Sequence, residues 1–510
     1  MDVIELGARP LDLATVAAAA EGHARLALGE AARARVARAH RTVGEVLASG
    51  RPVYGVNTGF GKLAHVRIEP ARIAELQRNL LRSHAAGMGP PLPPEETRLS
   101  LFLRIHTLAL GHSGVSIELL ERLIRLYNEG VLPVIPEQGS VGASGDLAPF
   151  AHLALVLLGE GEAVRRGGAR RSGAAVLAEL GLPPYVPGPK EGLALINGTG
   201  ITAAIGLRVA LQARAFLRLA DVVGSLSVEA SRSSPAPFHE RVAAARPHPG
   251  HAAAAANVRR LLEGSAIVES HRDCAKVQDP YSFRCLPQIH GAVRDALAHV
   301  EDVLLREANS ATDNPLVFAE EGTLVSAGNF HAQAAALALD YLAAALAVFA
   351  AAAERRVDGL MNEQVTGLPA FLTRESGLRS GFMMAQVTAA ALVGEARVLA
   401  HPATAGTVPT GGGQEDHVSH GPYAARKAGQ VLGLAQKIVA SELLAAAQGI
   451  DLLRPLRTTP GLEAAHAALR ERVPRLDEDR PLAPDLEAAY AMVRTGSLLR
   501  AVEDTVGRLE

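Results

Sequence analysis

The chain has 510 residues, of which 48% are hydrophobic and 20% charged, so it can bury a large core and is neither disordered nor coiled-coil in composition. Its formal net charge of -2 argues against nucleic acid, or an anionic membrane surface, as the main partner.

Two cysteines, Cys274 and Cys285, are too few for a disulfide framework and favour a reducing compartment. The first residues, MDVIELGARP, show neither the basic nor the apolar region of a signal peptide. These features predict a soluble cytoplasmic protein.

Helical periodicity dominates the chain. Apolar positions three and four residues apart predict a helix over Ala24–Ser49, and Pro94 followed by two acids opens a second helix that ends before Gly111. Further long helices are predicted at Ala203–Ala230, Ala332–Arg356, Gln386–Ala400, Ala424–Gln448 and Leu486–Val506. Strand-like runs are few; Gly167-Gly168 predicts a solvated hairpin within EAVRRGGARRSG.

The helix at Ala332–Arg356 belongs to a stretch long enough to cross a bilayer, in which only Asp340 is charged between His331 and Glu354. A carboxylate near the membrane centre costs several kcal/mol, so a membrane span is disfavoured. We expect a core helix that is buried on every side.

The Pro/Gly-rich segment Gly181–Leu195 is the clearest linker. It predicts an N-terminal part, 1–195, and a second part, 196–510, with a central helical region and a helical tail after Arg454–Glu463.

The most unusual stretch is VGASGD, residues 141–146, because most of its side chains are small or absent and it leads into an apolar run. Such a bare backbone indicates a tight turn or a backbone that takes part in chemistry. The stretch is not a nucleophile elbow, because Asp146 stands where that motif needs glycine. The alternative is a helix start capped by Ser144 or Asp146.

Other loops hold polar and aromatic side chains beside glycines, and each one taken singly has a structural explanation such as packing or a salt bridge. The candidates are Tyr54, His84, Asn197, Gln278, Tyr281, Arg284, Asn314, Phe330, Gln414 and Glu415. His417 and His420 have no matching ligand set at metal-binding spacing, so no metal is expected.

Ten collinear motifs resemble those of the aromatic amino acid ammonia-lyases, most closely of the members that act on histidine. They are YGVNTGFGKLA, LQRNLLRSHAAG, GSVGASGDLAPFAHLALVLLGEG, ALINGT, VQDPYSFRCLPQ, DNPLVF, GNFHA, GLPAFL, SGFMMAQVTAAALVGE and QEDHVS. GSVGASGDLAP is close to diagnostic of that family.

The resemblance implies a mainly all-α fold with a long central helical bundle of the aspartase/fumarase-like type and a smaller, loop-rich N-terminal part. It also implies a homotetramer whose active sites draw loops from more than one chain.

The resemblance implies a cofactor made from the chain itself. Ala143, Ser144 and Gly145 would cyclise to 4-methylidene-imidazol-5-one (MIO), with Ser144 becoming 2,3-didehydroalanine. Glycines at 142 and 145 permit the bent backbone that such a cyclisation needs.

Further roles follow from the resemblance. Tyr54 resembles the base that takes the β-proton, and Tyr281 resembles a second phenol that supports proton transfer or the electrophile. Arg284 resembles the clamp for the substrate carboxylate. The remaining expected binding residues are Asn197 and Gln278, on the electrophile or the substrate, and Phe330 and Gln414, in the pocket.

Substrate choice depends on His84, Met383 and Glu415. Relatives that act on tyrosine can also carry histidine at position 84, whereas a carboxylate at 415 suits an imidazole N–H and is costly against a phenyl ring. The implied reaction is non-oxidative deamination of L-histidine to trans-urocanate and ammonia.

The chain departs from the usual pattern at Gly411–Gly413, at His420 in place of Met and at Gln333 in place of an acid. The open alternatives are a tyrosine or phenylalanine ammonia-lyase, an aminomutase with the same electrophile, and a non-catalytic helical scaffold.

Overall fold

The computed structural model describes residues 2–165, 167–274 and 276–510. Helices account for most of this chain, which confirms the mainly helical class. The α-helices are Leu13–Glu21, Glu30–Ala48, Ile73–His84, Pro94–Ala109, Ile117–Asn128, Leu147–Leu155, Gly173–Glu179, Glu191–Ile196, Gly200–Ala230, Glu240–Ala245, Pro249–Leu262, Ala266–Glu269, Tyr281–Arg284, Leu286–Ala308, Gln333–Met361, Glu363–Thr366, Met383–Leu399, Gly421–Leu453, Pro460–Arg470, Ala483–Thr495 and Ser497–Val506.

Strands are short and form small sheets. Asp2–Leu6 pairs in parallel with Ala24–Leu28, and the other pairings are antiparallel. These are Met88–Pro91 with Pro136–Gln138, Val131–Pro133 with Glu162–Arg165, Glu162–Arg165 with Arg171–Ser172, and Leu316–Phe318 with Thr323–Val325. The predicted hairpin around Gly167 is confirmed; its Arg166 lies outside the described residues.

The predicted helix over Ala24–Ser49 is wrong for its first five residues. Ala24–Leu28 is a strand with alternating burial, and the helix begins only at Glu30, after Gly29. Pairing with Asp2–Leu6 satisfies the backbone of this segment, so a partner distant in sequence overrides its local helical periodicity.

Two further differences concern the helices. The predicted helix Leu486–Val506 is two helices, because Gly496 has φ 68° and ends the first of them in the left-handed conformation. The sequence prediction also missed the 23-residue helix Leu286–Ala308.

The chain divides into two compact units. The first contains Met1–Leu211, Val300–Asp340 and Pro402–Arg426, and the second contains Gln212–His299, Tyr341–His401 and Lys427–Glu510. Within the first unit, Pro94–Ala109 is buried almost continuously from Thr97 onward and packs against Glu30–Ala48 and Ile117–Asn128. The proposed boundary at residue 195 stays a prediction.

An apolar cluster in the first unit anchors the loop that carries Tyr54. Val56 is fully buried with Ala39, Val43 and Val317. Each buried valine stabilises the fold by about 1.5–3 kcal/mol, so Val56 holds this loop close to the core.

Among the residues that the structure describes, three helices are long and apolar enough to cross a membrane by length and composition; they begin at Gly200, Gln333 and Met383. In the most apolar 18-residue window of each helix, 67% of the first, 61% of the second and 17% of the third is buried. Burial within the protein therefore accounts for much of the apolar surface of the first two, while the third leaves most of its surface exposed.

The helix Gln333–Met361 is not buried on every side in the single chain, which corrects the expectation from sequence. Leu337, Tyr341 and Val348 are 54%, 51% and 62% exposed. Their spacing of four and seven residues places them on one face, because neighbours on a helix surface are three or four residues apart. The helix thus has a buried face and an apolar exposed stripe.

Candidate active site

The stretch around Ser144 is a tight turn of unusual backbone conformation. Ser144 has φ 52°, and Gly142 and Gly145 each have φ 80°. The Gly145 N–H donates to the Gly142 carbonyl at 3.2 Å. A non-glycine residue with positive φ is uncommon and is characteristic of functional sites.

Both glycines in this turn are also required by space. A Cβ at Gly145 would lie 2.3 Å from the Gly198 carbonyl oxygen, and one at Gly142 would lie 2.2 Å from Ser419 Oγ. The backbone of Gly145 can therefore approach its neighbour only because it lacks a side chain.

The segment Asn197-Gly198 holds the turn in place. Asn197 Nδ2 donates to the Ser144 carbonyl oxygen at 3.0 Å, and the Asp146 N–H donates to the Gly198 carbonyl at 2.7 Å. Asn197 is 2% exposed, so its amide is fixed by its surroundings. The Ser144 oxygen thus has a preorganised donor.

Asp146 ties the turn to the helix Gly200–Ala230. Its carboxylate accepts from the N–H and hydroxyl of Thr202, each at 2.8 Å. Burial raises the pKa of Asp146 to about 6, and these hydrogen bonds act in the opposite direction. The Asp146 carboxylate therefore helps to fix the position of the turn.

Two cavities share Ser144, Tyr54 and Glu415 in their linings. The larger, about 610 Å³, also contains His84 and Asn197, and the smaller, about 430 Å³, also contains Ala143, Phe330 and Gln414. Folding thus brings together nearly all site residues predicted in the first unit, from six separate stretches of chain.

The Tyr54 phenol oxygen lies within this lining and has a backbone donor. It accepts from the Gly61 N–H at 3.2 Å, while its ring meets Phe60 edge to face at 6.2 Å between centroids. A backbone N–H directed at the oxygen can serve the phenolate as well as the phenol.

The loop that carries Glu415 gives a physical reason for Gly411–Gly413. These glycines have φ of 56°, 66° and 89°, which side chains rarely tolerate. A Cβ at Gly411 would lie 2.8 Å from the Glu415 carboxylate. Gly411 therefore leaves room for the Glu415 carboxylate in this conformation.

Thr410, which the sequence analysis missed, orients Glu415. Its hydroxyl donates to Oε2 of Glu415 at 2.6 Å, and the two residues also pair through their backbones. Thr410 therefore occupies one carboxylate oxygen. No pattern in the sequence indicates this pairing, because the contact depends on the glycine turn.

His84 ends the helix Ile73–His84 and is held as one tautomer. Its Nδ1 lies 2.9 Å from the Leu80 carbonyl, which can only accept, so Nδ1 carries the proton and Nε2 is free to accept. Burial lowers the pKa of His84, outweighing the Leu80 hydrogen bond and the charge of Glu415. His84 is therefore neutral near pH 7.

The other predicted residues belong to the second unit. Gln278, Tyr281 and Met383 are exposed, with Tyr281 at 71%, and the Arg284 guanidinium lies 4.7 Å from the centre of the Tyr281 ring. None of these residues contributes to the described lining of the two cavities.

Comparison with known proteins defines the class of this site. The family model for aromatic amino acid lyases matches residues 11–471, and the chain belongs to that family. It is 51% identical to a histidine ammonia-lyase of Anaeromyxobacter sp. (strain K) over 98% of this chain and 100% of the relative.

Solved structures agree. Histidine ammonia-lyase from Trypanosoma cruzi superposes with a TM-score of 0.90 at 41% identity, covering 99% of this chain and 96% of that one. Tyrosine aminomutase from Streptomyces globisporus gives a TM-score of 0.93 at 37% identity, covering 99% and 100%. The mainly helical fold predicted from the sequence is the fold of this family.

Proposed function

We propose that the chain deaminates L-histidine to trans-urocanate and ammonia without oxidation, in the cytoplasm. The observation that carries the proposal is that the Glu415 carboxylate lines the same cavity as Ser144, Tyr54 and Asn197. Thr410 occupies Oε2, which leaves Oε1 to accept from an imidazole N–H. A phenyl ring offers no hydrogen-bond donor to offset desolvation of that carboxylate.

The electrophile in this proposal is MIO, formed by Ala143, Ser144 and Gly145. The Gly145 nitrogen bonds to the Ala143 carbonyl carbon, whose oxygen leaves as water, and Ser144 loses its hydroxyl and α-proton as a second water. The turn supports this assignment through the left-handed Ser144 and the close approach of Gly145 to Gly198. The group supplies an electrophilic methylidene carbon for covalent catalysis.

The chain's own residues then bind substrate and move its proton. Asn197 holds the Ser144 carbonyl oxygen, Tyr54 takes the β-proton, and neutral His84 presents Nε2 to the substrate. Phe330 and Gln414 line the adjoining cavity, where we assign them to packing and polar contact with the substrate.

Gln278, Tyr281, Arg284 and Met383 are assigned to an active site completed by association of several copies of the chain. The helix Met383–Leu399 supports this, because Met384, Val387 and Val398 are exposed by 59%, 46% and 77%. Apolar exposure on this scale indicates an interaction surface. Arg284 would bind the substrate carboxylate and Tyr281 would assist proton transfer.

The assembly we propose is a homotetramer. Light scattering of the purified protein is expected to give the mass of four chains across a tenfold dilution. A stable monomer that still turns over histidine would contradict the assignment of a site shared between copies.

Replacing Glu415 by glutamine tests the substrate assignment. A hydrogen bond to a charged group contributes about 1.5–3 kcal/mol, so we expect KM for L-histidine to rise roughly 10- to 100-fold. Formation of the electrophile, read from the intact mass, should be unchanged because Glu415 does not contact the cyclising atoms. A KM within twofold of the parent enzyme would show that the carboxylate does not bind the imidazole.

A further inference from the structure

Arg104 is a buried cation in the middle of the helix Pro94–Ala109. It is 1% exposed and stands within the apolar run LSLFLRIHTLAL. A charge in such a place is costly unless hydrogen bonds and nearby charges offset its desolvation. The sequence marks the residue only as the one arginine within this apolar run.

The contacts of Arg104 converge on one short segment of backbone. Its Nη1 donates to the Ala194 carbonyl at 3.1 Å and to the Asn197 carbonyl at 2.8 Å. The guanidinium carbon lies 3.7 Å above the centre of the Phe150 ring, within the range of a cation–π interaction. Arg104 thus packs against an aromatic ring and donates to two backbone carbonyls.

No carboxylate is directly paired with this guanidinium among the residues that the structure describes, and its Nε and Nη2 have no hydrogen-bond partner there. The nearest acids are engaged elsewhere: Asp313 with Lys190 at 2.5 Å, and Asp146 with Thr202. Burial lowers the pKa of Arg104 to about 10, so it remains charged at neutral pH.

The two carbonyls that accept from Arg104 belong to the segment that holds the Ala143-Ser144-Gly145 turn in place. Asn197 Nδ2 donates to the Ser144 carbonyl oxygen, and the Gly198 carbonyl accepts from the Asp146 N–H. A shift of the Ala194–Asn197 backbone would move both the Asn197 amide and the adjoining Gly198 carbonyl relative to Ser144. Arg104 itself does not line either cavity beside Ser144.

We propose that Arg104 is a positioning residue for the Ala143-Ser144-Gly145 turn, acting through the backbone of Asn197. By fixing the Ala194 and Asn197 carbonyls, it keeps the Asn197 amide on the Ser144 oxygen, both when the turn cyclises and when substrate reacts. This inference rests on the proposed function, because it concerns the efficiency of the same electrophile.

The test compares Arg104→Lys with Arg98→Lys. Arg98 lies on the same helix and also donates to a backbone carbonyl, but this is the carbonyl of Ala20, outside the Ala194–Asn197 segment that holds the turn. Three readouts apply to each purified variant: the fraction of chains whose intact mass lacks two waters, the melting temperature, and kcat and KM for L-histidine.

For Arg104→Lys we expect a smaller fraction with the two-water deficit. Among modified chains we expect kcat to fall by about 10²-fold with KM within about twofold, because a misplacement near 1 Å costs about that much in rate. The Arg98 variant should match the parent enzyme. A full deficit with unchanged kcat in Arg104→Lys would overturn the proposal, as would equal kcat losses in both variants.

A double-mutant cycle with Asn197→Ala separates positioning from general stability. If Arg104 acts through Asn197, the Arg104→Lys loss in kcat should shrink to less than threefold in that background; an undiminished loss would overturn the proposal. Should Arg104→Lys fail to fold, Phe150→Leu loosens the guanidinium instead, and a parent-like deficit and kcat in that variant would overturn it. A parent enzyme without deficit or turnover would instead refute the proposed function.

Discussion

Ser144→Ala is expected to abolish both the two-water deficit in the intact mass and the conversion of L-histidine. Alanine has no hydroxyl to lose, so the methylidene carbon cannot form even if the backbone keeps its turn. The left-handed conformation at this position costs alanine on the order of 1 kcal/mol, which a protein of this size tolerates. Mass spectrometry and an assay for urocanate measure the two outcomes.

Ser225→Ala is the matched control for this experiment. Ser225 is buried in the helix Gly200–Ala230, and its hydroxyl donates to the Asp221 carbonyl one turn earlier. The substitution removes the same atom away from the cavities, so the deficit and the activity should persist. Substantial histidine turnover by Ser144→Ala would refute the self-made electrophile.

Tyr54→Phe is expected to lower kcat by about 10²- to 10⁴-fold, the usual contribution of a positioned general base. The change removes one oxygen, which accepts from Gly61, and leaves the ring in place against Phe60. The two-water deficit should remain complete, because cyclisation does not use the phenol. Steady-state kinetics and the intact mass therefore separate loss of proton transfer from loss of the electrophile.

Tyr127→Phe controls for the loss of a tyrosine hydroxyl. Tyr127 is buried and donates to the Ala19 carbonyl, so its replacement should cost about 1 kcal/mol of stability and leave kcat unchanged. A Tyr54→Phe enzyme that retains the parent kcat would remove Tyr54 from the role of base.

The local sequence was sufficient to predict the turn at Ser144. Glycines at 142 and 145 flank the residue with positive φ, and both are required by neighbours that a Cβ would strike. Long helices such as Pro94–Ala109 were also predictable, because Pro94, the two acids after it and Gly111 mark the two ends of the element.

Features that depend on distant partners or on the geometry of a loop were not predictable. The strand Ala24–Leu28 needs Asp2–Leu6 beside it, and the hydroxyl of Thr410 meets Glu415 only once three glycines reverse the chain. The exposed stripe on Gln333–Met361 could not be predicted from composition. An apolar helix has the same composition whether the protein core or a second copy of the chain covers it.

The roles of the site residues and the division at residue 195 stay predictions. The cavities bring Tyr54, His84, Ser144, Asn197 and Glu415 into one lining, which is the arrangement the proposed chemistry needs. Their sequence separation is why no single motif could have placed them together.

The most direct test is ultraviolet detection of urocanate formed from L-histidine by the purified chain, with L-tyrosine and L-phenylalanine in parallel under the same conditions. We predict steady turnover of histidine and none of the aryl substrates. The Glu415 carboxylate accepts from an N–H on the imidazole ring itself, whereas phenylalanine offers it no donor and tyrosine offers only the O–H at the far end of its ring. Turnover of tyrosine or phenylalanine without histidine, or formation of a β-amino acid from either, would contradict the proposed function.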